Sequence, residues 1–251
     1  MSGAPPLVAL VGNPNAGKSS LFNALTGARQ KIANYPGVTV ERHSGRLNLP
    51  DGQTVELVDL PGTYSLDPAS PDEAVTRDVI LGRQAGERRP DALVIVVDAG
   101  NLENHLRFTL ELLDLGLPTM VALNMVDMAE RDGLTIDPAR LSAQLGVPVL
   151  PTVAVRRRGL DNLLSALAGQ ISVPKLAATR PGGPADEASR RLAAQRLSKD
   201  ATISETASHS LTNRLDSVLL HPIIGFIALI ALLFVMFQAV FTWATPLMDG
   251  I

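Results

Sequence analysis

The residues best suited to chemistry lie near the amino terminus, in the stretch GNPNAGKSS that begins at Gly12. Gly12 and Gly17 enclose four residues and are followed by Lys18 and Ser19. Glycines let backbone amides surround an anion, a lysine ammonium can reach the outer phosphates of a nucleotide, and a serine hydroxyl can coordinate Mg²⁺. The spacing therefore predicts a phosphate-binding loop, and a glycine-rich turn that merely links a strand to a helix is the alternative.

Two later stretches could complete a nucleotide site. Asp59 ends the run VELVD, where a carboxylate could hold Mg²⁺ through water, and Gly62 could offer its amide to the γ-phosphate. Asn124 and Asp127 follow the run TMVAL. A carboxylate accepts from two adjacent N–H donors, which guanine has on its pairing edge and adenine lacks. Alone, NMVD is also typical of a helix-capping turn, but after the phosphate-binding loop and DLPG it favours guanine.

Short runs of Val, Ile and Leu alternate with helical patterns along the chain. Strands are predicted at residues 7–11, 55–60, 92–97, 119–123 and 147–150. The clearest helical patterns, at residues 101–115 and 160–171, place leucines on one face. This alternation predicts an α/β fold, in which a mostly parallel sheet is covered by helices on both faces. The phosphate-binding loop would then lie between the first strand and a helix, as its chemistry requires.

Composition limits the classes of function. A chain of 251 residues with 46% hydrophobic residues is long enough for one well-filled domain and something smaller. A net charge of −3 without a long Lys/Arg run argues against nucleic acid as a partner, and the arginines at 156–158 are interpreted as a solvated loop. Because cysteine is absent and the four histidines lack ligand spacing, neither a disulfide framework nor a Cys/His metal site is predicted.

The motifs together resemble a translation-factor-related GTPase domain and, more narrowly, the N-terminal G domain of FeoB-type bacterial ferrous iron transporters. The narrower resemblance rests on GNPNAGKSSLFNALTG, NYPGVTVERHSG, VDLPGTYSL and NMVDMA. It is continuous over roughly residues 7–171 and resumes at LTNRLDSVLLHPIIG. The resemblance implies a P-loop GTPase fold for residues 1–172, GTP and GDP as ligands, and hydrolysis of GTP to GDP and phosphate.

The resemblance also implies a set of site residues. Those assigned to the nucleotide are Gly12, Asn13, Asn15, Ala16, Gly17, Lys18, Ser19, Ser20, Gly37, Val38, Thr39, Asp59, Gly62, Asn124, Met125, Asp127, Ala154 and Val155. Those assigned to Mg²⁺ are Ser19, Thr39 and Asp59, and those assigned to catalysis are Asn15, Lys18, Thr39 and Gly62. Residues 30–42 and 60–70 would be the two switch segments. Met125 stands where the usual pattern has lysine, and its flexible apolar side chain could pack on the base.

Slow hydrolysis is expected. Many small GTPases position the attacking water with a glutamine directly after DxxG, whereas this chain has Thr63 there, and no arginine finger can be nominated from the sequence. In FeoB-like GTPases an asparagine at the position of Asn15 helps to bind K⁺, which supplies the charge that an arginine would otherwise bring. The resemblance therefore implies hydrolysis stimulated by K⁺, with Asn15 as a ligand. The alternative is that Asn15 only shapes the loop by hydrogen bonding.

The amino-acid composition of the chain changes after residue 172. The proline- and glycine-rich stretch SVPKLAATRPGGPADEA cannot sustain a helix or a sheet interior. Residues 173–217 are interpreted as a linker and a reduced helical segment, helical over 186–198, which resembles the guanine-nucleotide dissociation inhibitor domain of FeoB relatives. The uncharged run at residues 223–243 would form a helix about 31 Å long, against a hydrocarbon core of about 30 Å. Residues 218–247 are therefore predicted to span a membrane, with 248–251 as a truncated end; a buried core helix is the alternative.

Lys199 and Arg214 precede the apolar run and neither Lys nor Arg follows it, which favours a cytoplasmic amino-terminal side. The resemblance implies a bacterial inner-membrane location and a G domain that drives or gates ferrous iron uptake. It further implies Mg²⁺ and K⁺ as cofactors and, as partners, the rest of the transporter, small accessory Feo-type proteins and, optionally, further copies of the chain. Two alternatives remain: an RNA-modification or ribosome-assembly GTPase, and a membrane-tethered signalling GTPase without transport.

Overall fold

A computed structural model of the chain describes residues 4–27, 30–172, 186–205 and 221–239. They belong to two units, Met1–Glu205 and Thr206–Ile251. The strands of the first unit are β1 (Leu7–Val11), β2 (Gln30–Asn34), β3 (Glu41–Asn48), β4 (Thr54–Asp59), β5 (Ala92–Asp98), β6 (Thr119–Asn124), β7 (Leu134–Ile136), β8 (Val149–Pro151) and β9 (Thr202–Glu205). Its helices are α1 (Lys18–Thr26), α2 (Pro71–Leu81), α3 (Leu102–Leu113), α4 (Val126–Arg131), α5 (Pro138–Leu145), α6 (Leu160–Ser172) and α7 (Glu187–Ala201).

Seven strands form the main sheet, in the order β2-β3-β4-β1-β5-β6-β8. The pairs β4-β1, β1-β5, β5-β6 and β6-β8 are parallel, whereas β2-β3 and β3-β4 are antiparallel. The predicted mostly parallel sheet is therefore confirmed. Because parallel strands share one direction, the carboxyl ends of β1, β4, β5 and β6 meet at one edge, and the loops that follow these strands meet there too.

Alternate residues of β1 face the two sides of the sheet. Val8 and Leu10 belong to a buried cluster with residues of α1 and α6. Leu7, Ala9 and Val11 belong to a second cluster with residues of α2, α3 and α5. This alternation is the expected consequence of the two-residue period of a strand. Helices cover both faces, as the sequence predicted.

The five predicted strands and the predicted helices at 101–115, 160–171 and 186–198 are found, most of them with ends shifted by a few residues. The strands β2, β3, β7 and β9 and the helices α2, α4 and α5 were not predicted. All five residues of β2 are exposed, so the strand carries no apolar pattern that a sequence could show. Part of the predicted first switch, residues 30–34, is thus an edge strand paired with β3. In contrast, α2 has a readable start: the Ser70 side chain accepts from the N–H of Glu73, and Pro71 occupies the first turn.

Residues 186–205 pack inside the first unit. The helix α7 contacts α3 and α5, and its Ala194 is fully buried. The strand β9 continues the chain and pairs with β7 in a separate antiparallel sheet. The predicted helix is therefore present and packed against α3 and α5. The rest of the predicted linker, residues 173–185 and 206–217, lies outside the described ranges.

The described part of the second unit is a helix of 17 residues, α8 (Pro222–Gln238). Its start is capped by His221, whose Nδ1 accepts from the N–H groups of Ile223 and Ile224. In the ranges that the structure describes, none of the helices is both long and apolar enough to cross a membrane. The ends of the predicted membrane helix, at 218–220 and 240–247, and the predicted truncated end at 248–251 lie outside the described residues.

Candidate functional site

The predicted phosphate-binding loop connects β1 to α1 at the carboxyl edge of the sheet. Gly12 and Gly17 both have positive φ values, 153° and 85°. A Cβ on Gly12 would overlap the carbonyl oxygen of Val96, and one on Gly17 would overlap the side-chain nitrogen of Asn124. Both glycines are therefore required by close approach as well as by backbone conformation. Gly17 is also the N-cap of α1, so the positive end of that helix faces the loop.

Lys18 is buried beside this loop. Its Nζ donates to the carbonyl oxygen of Asn13 at 3.4 Å. Burial lowers the pKa of Lys18, and the nearby Asp59 carboxylate opposes that shift. A Cβ on Gly62 would lie 3.1 Å from this Nζ and 2.9 Å from Pro14. The lysine, the phosphate-binding loop and Gly62 of DLPG thus form one tightly closed cluster, as the motif order predicted.

Ser19 and Asp59 meet next to the lysine. The Ser19 hydroxyl donates to Oδ2 of Asp59 at 2.9 Å, and Oδ1 of Asp59 is buried without a hydrogen-bond partner among the described residues. Burial raises the pKa of Asp59, opposed by the Ser19 hydrogen bond and by the charges of Lys18 and His43. A hydroxyl and a carboxylate oxygen that lacks a partner are hard ligands that suit Mg²⁺, so the donor set fits this ion.

Thr39, the third residue predicted to bind Mg²⁺, is exposed in the bend between β2 and β3. Within the described ranges, no hydrogen bond joins it to Ser19 or Asp59. The neighbouring Gly37 and Val38 are exposed in the same bend. The structure therefore brings Ser19 and Asp59 together and leaves Thr39 apart from them.

Asn124 connects three loops through its side chain. Its Nδ2 donates to the carbonyl oxygen of Ala16 at 3.1 Å. Its Oδ1 accepts from the N–H of Ala154 at 3.1 Å and from the hydroxyl of Thr152 at 3.4 Å. The side chain was predicted to read a base, but here both ends of its amide are bonded to protein and the residue is only 2% exposed. In this structure Asn124 positions the other loops.

Asp127 lies in the first turn of α4, two residues after Met125. Met125 has a φ of 60° and is the N-cap of α4, and its methyl carbon lies close to Gly17. The Asp127 carboxylate pairs with Arg156, whose Nη1 lies 3.3 Å from Oδ2. The predicted contacts of Ala154 and Val155 differ in kind, because the N–H of Ala154 is bonded to Asn124, whereas Val155 is 79% exposed.

The second predicted switch, residues 60–70, contains Thr63 at the position where a glutamine would position water. The Thr63 hydroxyl donates to the carbonyl oxygen of Ser65 at 2.8 Å, and its N–H donates to Gly12. Thr63 is 1% exposed, whereas the following Tyr64 is 61% exposed. Farther along, the N–H of Leu66 donates to Glu111 of α3 at 3.0 Å. The Thr63 side chain is thus used to shape the segment.

Three contributors were missed by the sequence reasoning. Arg42 pairs with Glu56 and Glu87, at 2.9 and 2.8 Å. Tyr35 is buried, although the residues of β2 that precede it in the first switch are exposed. His43 lies opposite Asp59 in the register of β3 and β4. The sequence signal for the buried Tyr35 was a single aromatic residue in a polar stretch. The contacts of Arg42 and His43 could not be predicted, because they depend on β3, which was not predicted.

The fold and the loop chemistry define a P-loop α/β domain of the GTPase class. A family model described as ferrous iron transport protein B (FeoB_N) matches residues 7–167. The chain is 51% identical over 164 residues to the Fe(2+) transporter FeoB of Shigella flexneri and 50% identical to that of Escherichia coli K12. These alignments cover 64% of this chain and 20% of each relative.

Solved structures give the same result. The cytosolic domain of L. pneumophila FeoB matches with a TM-score of 0.60 and 42% identity, over 65% of this chain and 63% of that one. The cytosolic domain of T. maritima FeoB in a GDP form matches with a TM-score of 0.64 and 38% identity, over 70% and 67%. The chain belongs to the ferrous iron transport protein B family and contains its N-terminal G domain. It spans about one fifth of the length of the curated relatives it matches.

Proposed function

We propose that this chain binds GTP with Mg²⁺ and hydrolyses it to GDP and phosphate, as the switch of a bacterial ferrous iron uptake protein. The observation that carries the proposal is the closed cluster of Lys18, Gly62, Ser19 and Asp59 around the phosphate-binding loop. The neighbouring Asp127 supports guanine as the base. Structures of FeoB relatives described as GDP-bound, at about 40% identity, support the same ligand.

The roles of the phosphate-contacting residues follow from their chemistry. Lys18 balances negative charge on the outer phosphates, and burial strengthens that interaction by excluding water. Ser19 and Asp59, joined by Thr39 when the first switch closes, would hold Mg²⁺. This ion neutralises charge on the oxygens of the transferred phosphate. Gly62 would offer its backbone N–H at the same end, since it already lies against Lys18.

Hydrolysis is proposed to be slow and stimulated by K⁺. The Thr63 hydroxyl is engaged with Ser65, so this position offers no group to orient water. Asn15 supports a role for K⁺, because it is exposed, has a φ of 64° and, in the described part of the chain, makes no side-chain hydrogen bond. A residue that only shaped the loop would use its side chain for such a bond.

The test is the rate of GTP and ATP hydrolysis by the 251-residue chain in KCl and in NaCl. We expect a preference for GTP, a higher rate in KCl, and loss of the K⁺ response in Asn15→Ala with GDP binding retained. ATP preference would contradict the assignment of Asp127 to guanine. Equal rates in the two salts, or a K⁺ response retained in Asn15→Ala, would contradict the role of Asn15 alone.

Membrane attachment and iron uptake complete the proposal. The described helix α8 exposes apolar side chains on all its faces, among them Phe226, Leu229 and Leu232, and a helix that is apolar all round is typical of a membrane span. We propose that residues 218–247 cross the inner membrane and that the G domain lies on the cytoplasmic side. Other parts of the transporter, accessory Feo-type proteins and further copies of the chain are proposed partners.

Coupling to transport is tested in a bacterium whose FeoB-type transporter contains this G domain. Lys18→Ala should abolish GTP binding and stop uptake of radioactive Fe²⁺, whereas Arg158→Gln, on the surface, should leave uptake unchanged. Unaffected uptake in Lys18→Ala would favour the signalling alternative, in which the GTPase is the whole function. The ribosome-assembly alternative has little support, because the net charge is −3 and the family match points elsewhere.

A further inference from the structure

Arg156 lies across the carboxylate that is proposed to bind guanine. Its Nη1 is 3.3 Å from Oδ2 of Asp127, and the two side chains are 70% and 17% exposed. The guanidinium thus contacts the carboxylate at Oδ2 and leaves 17% of the Asp127 side chain open to solvent. A guanine base that donates two N–H groups to this carboxylate needs both of its oxygens, and Oδ2 is the oxygen that Arg156 contacts.

The loop that carries Arg156 is held in shape by hydrogen bonds of its own backbone. The 3₁₀ turn Ala154–Arg156 begins at Ala154, whose N–H donates to Oδ1 of Asn124. Val153 and Arg158 close the loop through two backbone hydrogen bonds of 3.0 and 3.2 Å, and Arg157 ends the turn with a φ of 54°. The arginine is therefore presented to Asp127 by a short and internally bonded loop.

The pair is weak enough to be displaced. Ion pairs between exposed side chains contribute little because water and salt screen them. Guanine donates two N–H groups to one carboxylate in a site closed by Asn124 and the phosphate-binding loop, so it outcompetes a single guanidinium contact.

We propose that Arg156 competes with the guanine base for the Asp127 carboxylate and thereby slows nucleotide binding and weakens affinity. This inference rests on the proposed function, since it assumes that Asp127 reads guanine. Arg156 acts through Asp127 and moves aside when the base docks. Removing its charge should favour the bound state.

The test measures association and dissociation of fluorescent N-methylanthraniloyl-GDP with the 251-residue chain in detergent. We expect Arg156→Gln to raise the association rate constant about two- to fivefold, the range of an exposed ion pair, with the dissociation rate constant unchanged. Arg158→Gln is the matched control, because it removes the same charge from the same loop and, within the described residues, Arg158 makes no ion pair. An equal gain in both variants, or none in Arg156→Gln, would overturn the proposal.

A second arm identifies Asp127 as the partner. Asp127→Asn replaces the carboxylate with an amide that suits the 2-carbonyl of xanthine, so its ligand is xanthosine diphosphate. In that background Arg156→Gln should change affinity by less than about 1.5-fold, because the charge pair no longer exists. A gain as large as in the parent would overturn the competition. Failure of the parent to bind the GDP probe would instead overturn the proposed function and this inference with it.

Discussion

The amide of Asn124 donates to Ala16 and accepts from Ala154, so one side chain in the base-reading motif also holds the phosphate-binding loop. Its contacts join residues that are 108 and 30 positions apart in the chain. A sequence can indicate that Asn124 and Asp127 act together, because they are close in one motif. It cannot show that the Asn124 side chain bonds to the loops of Ala16 and Ala154, since that depends on the order of the strands in the sheet.

Asn124→Ala should destabilise the nucleotide-free chain by about 1–3 kcal/mol, because the N–H of Ala154 and the carbonyl of Ala16 would stay buried without this partner. Denaturant unfolding without nucleotide measures this loss. Asp127→Ala is the control, and it should cost less than about 1 kcal/mol because its ion-pair partner Arg156 is 70% exposed and screened by water. Equal and small losses in the two variants would mean that Asn124 does not position the loops.

Gly62 also lies close to the phosphate-binding loop, with no room for a side chain. A Cβ would lie 2.9 Å from Pro14 and 3.1 Å from the Lys18 ammonium. Gly62→Ala should therefore shift the phosphate-binding loop and weaken GTP binding at least tenfold, and affect GDP less, as measured by titration with both nucleotides. Gly169→Ala is the matched control, since a Cβ there meets open space. It should keep binding intact and gain up to about 1 kcal/mol of stability from helix propensity.

Among the elements, the buried strands of the parallel sheet were predictable because a strand buried on both faces is apolar throughout. The edge strand β2 was not, because its exposed side chains leave only backbone hydrogen bonds to β3 to define it. The missed strands explain the missed contacts of Arg42 and His43. The start of α2 was readable from its Ser-Pro-x-Glu sequence and was overlooked.

The packing of helix α7 can be tested at its buried residue Ala194. Ala194 is fully buried, whereas its neighbour Gln195 is exposed. Ala194→Glu should lower the free energy of unfolding by about 2–4 kcal/mol, because it buries a charge with no partner against the first unit. Gln195→Glu places the same charge in water and should change it by less than about 0.5 kcal/mol. Urea unfolding distinguishes them, and similar midpoints would mean that α7 is not part of the folded unit.

For the whole molecule, the proposed membrane attachment rests on α8. Ile230 and Leu233 lie near the middle of this helix. Ile230→Lys with Leu233→Lys should release the chain from bacterial membranes during alkaline carbonate extraction, because each charge near the bilayer centre costs about 2.5–3.5 kcal/mol. Gln195→Lys on the exposed face of α7 should leave the chain in the membrane fraction. If the double variant also stayed there, α8 would not be the anchor.

The pairing of β7 with β9 has a consequence for synthesis. Leu134 lies opposite Glu205, about 70 residues later in the chain. At about 5–20 residues per second, the ribosome needs roughly 4–14 s to make the partner strand after β7 has been made. During that interval β7 and the surface of α3 that α7 covers stay uncovered, so this part of the fold can be completed only after β9 has been translated.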